Sequence, residues 1–183
     1  MKKISLIFIS VSCLFLFSNY ASAFSISVGV PMSYTVTGKT GGETTLETES
    51  TSGYLIGIQL PFAIGIGMDS YKSVVKNATP KVATDVYNIF YQLPIPIINL
   101  VVGLGTGNQK IECSGCDSVY KKGSLTQWYT SIGMPIIPFF DIHLSYRSIT
   151  SKNVKVKSNA GNAIGEKADN SRSITGVGIA FNF

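Results

Sequence analysis

The chain has 183 residues, of which 45% are hydrophobic and only 14% charged, with a formal net charge of +5. This length holds one ordinary domain, and a modest positive balance without a basic block argues against a nucleic-acid partner. Past the first 23 residues, no stretch approaches the roughly 20 apolar residues of a transmembrane helix.

Lys2 and Lys3 precede an apolar run over residues 4–17, broken only by Ser5, Ser10, Ser12 and Cys13. Ala21, Ser22 and Ala23 then form a small-x-small cleavage site. Residues 1–23 read as a secretory signal peptide, cleaved after Ala23. The run is too short to serve comfortably as an anchor helix. Ser10 stands where a lipoprotein signal carries Leu, so lipidation of Cys13 is not expected. The exported domain is residues 24–183.

The first segment of that domain alternates over thirteen residues, "FSISVGVPMSYTV". Phe24, Ile26, Val28, Val30, Met32, Tyr34 and Val36 share one face; Ser, Gly, Pro and Thr occupy the other. A period of two is a strand. Pro31 lies inside it and withholds a ladder N–H, which predicts a bulge or an unpaired position. A polar stretch follows over residues 37–52. Tyr54, Ile56, Ile58 and Leu60 then alternate with Leu55, Gly57 and Gln59, and after a turn at Pro61 the pattern resumes with Ile64, Ile66 and Met68. Beyond a second polar stretch, 72–81, come Tyr87, Ile89, Tyr91 and Leu93, the turn "PIPI", then Ile98, Leu100, Val102 and Leu104. A third polar stretch covers 108–124. Trp128, Thr130, Ile132 and Met134 follow, then "PIIP", then Phe140, Ile142, Leu144 and Tyr146. The polar stretch 150–172 precedes a last strand with Val177, Ile179, Phe181 and Phe183 on one face. The pattern predicts eight strands joined alternately by long loops and short, proline-marked turns.

Alternation alone fits a soluble barrel with apolar side chains inside or a membrane barrel with them outside. The second face decides between them. A water-facing surface is crowded with Lys and Glu; here that face is Ser, Gly, Thr, Gln and Asn with only Asp69, Asp141 and Arg147 as charges. Small uncharged residues suit the inside of a narrow barrel. On the apolar face, Tyr34, Tyr54, Tyr87 and Trp128 fall toward the long loops, and Phe24, Phe62, Phe140, Phe181 and Phe183 toward the short turns. Two aromatic girdles are what a bilayer's interfaces select. The fold expected is all-β: an eight-stranded antiparallel up-and-down transmembrane barrel with long extracellular loops and short periplasmic turns.

The ending "GVGIAFNF" resembles the C-terminal assembly signal of bacterial outer-membrane proteins through Gly178, Phe181 and Phe183. It departs at Gly176, where a polar residue is usual. With the signal peptide and the strand rhythm, the chain resembles the small eight-stranded outer-membrane barrels, the OmpA/OmpX/OmpW-like group. The resemblance implies a location in the bacterial outer membrane, contact with its lipid and lipopolysaccharide, recognition by the barrel-assembly machinery, and a monomer.

Three sets of residues invite a chemical reading. Cys113 and Cys116, in "CSGC", sit in the third long loop and suit a disulfide in an oxidising compartment; free thiols, or a redox or metal pair, are the alternatives. His143 and Ser145 share a strand face, as does the His-x-Ser pair of an outer-membrane lipid A deacylase family. That motif continues with Asn where this chain has Tyr146, and parity turns His143 and Ser145 inward rather than to lipid. The expectation is instead a polar network in the lumen formed by Asp69, Asp141, His143 and Arg147, since buried charges persist when paired. Finally, Lys72, Lys76, Lys81, Lys152, Lys155, Lys157, Lys167 and Arg172 lie near loop bases and could meet lipopolysaccharide phosphates, against a plainer role as solvated loop charge. No cofactor, metal site or catalytic set is expected. The function expected is a structural or surface-interaction barrel with a filled lumen; a narrow pore or hydrophobic-solute conduit and a lipid-modifying enzyme are the alternatives.

Overall fold

The computed structural model describes residues 24–36, 48–75, 81–93, 95, 98–112, 121–137, 139–151, 154–155, 167–169 and 171–183. Residues 1–23, where the sequence predicts a signal peptide, lie outside them. Eight strands alternate as the side-chain pattern requires: β1 (Ser25–Val36), β2 (Thr48–Gln59), β3 (Ile64–Val75), β4 (Lys81–Leu93), β5 (Asn99–Glu112), β6 (Gly123–Ile137), β7 (Phe140–Thr150) and β10 (Arg172–Asn182). Each pairs antiparallel with its neighbours, and β1 closes on β10, giving a barrel. Closure leaves no free sheet edge, the condition for a sheet to sit in lipid. Two further short strands, β8 (Val154–Lys155) and β9 (Lys167–Ala168), pair with each other between β7 and β10, inside what reads in sequence as loop.

The strands run further than their apolar cores suggest. β3 continues to Val75 and β4 begins at Lys81, so the second polar stretch shrinks from 72–81 to a connection of residues 76–80. Hydrogen bonding to a neighbour carries a strand on where alternation has already faded: Lys72 pairs with Ala83, and its ammonium meets Glu112 at 3.0 Å on the barrel's outer face.

Val28, Ile66, Ile89, Leu104, Ile132 and Leu144 all project outward and stay exposed. At the short-turn rim, Phe24 meets Phe183 with ring centroids 6.2 Å apart, and Phe140 meets Phe181 at 5.2 Å. The Phe183 amide donates to the Phe24 carbonyl at 2.8 Å, so the first and last strands of the barrel are tied at one rim. Tyr54, Tyr87 and Trp128 are exposed on the other half of the outer face.

Tyr34 departs from that girdle. The β1–β10 register shifts between Pro31 and Ser33, the bulge expected at a proline inside a ladder. The extra residue reverses the parity of everything after it, and Tyr34 turns into the lumen, 5% exposed.

Candidate functional site in the lumen

A barrel of eight strands has room to fill itself with side chains and little more. The glycines of the inward face set where large side chains can cross. A Cβ at Gly65 would collide with the Phe90 ring, one at Gly103 with the Tyr129 ring, and one at Gly178 with the His143 imidazole. Gly176, the departure from the terminal signal, lies against the Leu55 side chain and Ser145 Oγ. A longer polar residue has no space there.

At mid-height, Arg147 on β7 reaches Asp69 on β3, half a circumference away. Its Nε donates to Asp69 Oδ2 at 2.8 Å and its Nη2 to Oδ1 at 3.3 Å. Asn88 Nδ2 and Gln127 Nε2 donate to the same Oδ2 at 2.9 and 2.6 Å. The guanidinium also lies over the Tyr129 ring, 4.9 Å from its centroid. Asp69 and Arg147 are 1% and 6% exposed. Burying two charges is costly, and this carboxylate recovers the loss through a two-point arginine contact and two amide donors.

The four lumen residues expected as one network are split in two by the structure. Asp69 and Arg147 form the crossing just described. Asp141 lies at the start of β7, six residues from Arg147, where its Oδ2 accepts from Asn99 Nδ2 and, at 2.9 Å, from Asn182 Nδ2. A strand rises about 3.3 Å per residue, so roughly 20 Å of chain separates the two side chains. His143 lies between them and makes no hydrogen bond among the described residues. Ser145 Oγ donates to the Gly176 carbonyl at 3.1 Å and accepts from Arg147 Nη1. Its proton is therefore held by a main-chain oxygen and not by His143, and the pair has none of the geometry of a nucleophile and its base.

A second arginine spans the lumen nearer the loops. Arg172, placed among the loop charges by sequence, opens β10 facing inward with 0% exposure. It donates to Tyr34 Oη at 2.7 Å, Gln109 Oε1 at 2.6 Å and Thr84 Oγ1. Around it Tyr34, Leu55, Tyr71, Val86, Leu125, Ile149 and Ile174 form a buried apolar cluster. The buried apolar cluster thus lies toward the loops, while the turn half carries amides, hydroxyls and Asp141 beside the Phe90 and Tyr129 rings. Parity counted back from Gly176 does put Ile174 and Arg172 inside; the polar run before them hides it.

Cys113 and Cys116 lie outside the described residues, as do Lys76, Lys152 and Lys157. Among the described residues, no group of three or more His, Cys, Asp or Glu side chains could hold a metal ion. Among the described residues, no helix is long and apolar enough to cross a membrane.

No protein-family model matches the chain, and no curated protein matches it. Solved structures do. The crystal structure of Neisserial surface protein A superimposes with a TM-score of 0.60 at 12% identity, covering 88% of this chain and 97% of that one. The outer-membrane protein AlkL in lipid bilayers gives 0.56 at 11%, covering 90% and 92%. Outer Membrane Protein W of E. coli gives 0.52 at 12%, covering 90% and 100%. At such identities the likeness is one of fold, and the fold is that of the eight-stranded outer-membrane barrels.

Proposed function

We propose that this chain is an outer-membrane barrel whose lumen is closed, and that it serves the cell surface as a structural or interaction element through its loops, without catalysis. The observation that carries this reading is the pair of arginine crossings. Each spans half the circumference, one in a polar layer and one in an apolar layer, and together they occupy the bore at two heights. A path for solute would have to break both. In this reading residues 1–23 direct export, the turn rim faces the periplasm, and Gly178, Phe181 and Phe183 present the last strand to the assembly machinery. The loop bases face lipopolysaccharide, with fewer cations than the sequence suggests, because Arg172 is inside and Lys72 is held by Glu112. A disulfide between Cys113 and Cys116 would brace the third loop.

Envelope fractionation tests the reading. The chain is expected with outer membranes, migrating faster on gels unheated than boiled, and cleaved by added protease in its loops on intact cells. Recovery in the soluble periplasm would overturn it.

A further inference from the structure

Below the Asp69–Arg147 crossing, the lumen opens into a chamber of about 70 Å³ at the turn rim. Water-sized positions need some 10–15 Å³ each, so it holds a ligand of a few heavy atoms. Its wall carries Asp141, 3% exposed, with both amide donors on Oδ2 and Oδ1 left open. Asp141 has no cationic partner among the described residues. Arg147, at the chamber's far end, is already neutralised by Asp69. Ser25, Gln59 and Ser131 also line the chamber; each is more than nine-tenths buried, and none of their side chains has a hydrogen-bond partner among the described residues. His143, only half-buried, adds an imidazole without a hydrogen-bond partner among the described residues. The oxygens of Ser25 and Gln59 open onto the cavity and are free to accept from a ligand, and a buried carboxylate ordinarily has a counter-charge. Both features face one cavity.

We propose that this chamber binds a small primary ammonium compound entering from the turn rim. An ammonium has three N–H donors and no acceptor. Asp141 Oδ1 matches its charge, and the unpartnered oxygens of Gln59 and Ser25, which lie near the same level of the rim, match its remaining donors. A divalent metal ion fits less well: it asks for more carboxylates or six to eight oxygen ligands, and one carboxylate matches a single positive charge. The site depends on the lower lumen alone and stands whether or not the barrel conducts.

The test uses the whole barrel refolded in detergent micelles, titrated with methylammonium chloride, tetramethylammonium chloride and sodium chloride at equal ionic strength. Methylammonium is expected to shift the side-chain amide resonances of Asn99 and Asn182 saturably and to raise the melting temperature as a ligand of the native state does; the other two salts should do neither. Asp141→Asn, checked for folding by its heat-dependent gel mobility, should weaken methylammonium binding roughly tenfold or more. Gln59→Leu, which keeps the carboxylate and its two amide donors, should weaken it severalfold and decides the matter if the first variant does not fold. Equal response to all three salts, no saturable shift, or full binding by either folded variant would overturn the proposal.

Discussion

Arg147 meets a carboxylate that four N–H groups already converge on, two of them its own. Truncating it leaves the Asp69 carboxylate, 1% exposed, without its counter-charge. Arg147→Ala is therefore expected to lower stability by about 3–5 kcal/mol, measured by urea unfolding of the refolded barrel. Adding Asp69→Asn should restore part of the loss, since the stranded charge is gone; a strictly additive double variant would show the two side chains uncoupled. Parity alone places Asp69, Asp141 and Arg147 inside. Which carboxylate pairs with Arg147 was not legible, because that depends on how far the sheet turns before it closes, and no local pattern encodes it. Arg172 was harder still. Its polar neighbours read as loop, and the ladders with Ile149 and Val36 show it to be strand.

The last strand shows an element meeting two demands at once. Its outward face, Val177, Ile179, Phe181 and Phe183, faces lipid and supplies half of two aromatic pairs at the rim. Its inward face, Gly176 and Gly178, yields space to Leu55, Ser145 and His143. Deleting Phe183 removes the amide that ties the last strand to the first as well as the terminal aromatic. Assembly yield in cells is expected to fall far below that of a one-residue deletion in the last loop, scored by heat-modifiable band intensity; equal yields would show that the terminal ring is dispensable. The strand rhythm was legible from alternation and proline-marked turns, and Pro31 announced a bulge. The consequence of that bulge was not legible: the added residue inverts the face of Tyr34, so a tyrosine that counts in sequence as interfacial supports Arg172 instead. Strand ends were underestimated for a related reason. Ladder bonds to a neighbour hold polar residues extended, and a single sequence shows no neighbour.

For the whole molecule, the decisive property is that apolar side chains point out and the bore is crossed. Neither fact depends on the loops. The two crossings lie at different heights and hang on different arginines: Arg147 joins β7 to β3, with amides from β4 and β6, and Arg172 joins β10 to β1, β4 and β5. Removing one should leave the other in place, so closure is redundant. Single-channel recording in a planar bilayer tests this most directly. Wild-type protein is expected to insert without discrete conductance steps, Arg147→Ala and Arg172→Ala likewise, and only the double variant, if it folds, to show them. Stable, reproducible conductance steps from the wild-type barrel would contradict the closed lumen and make the chain a pore.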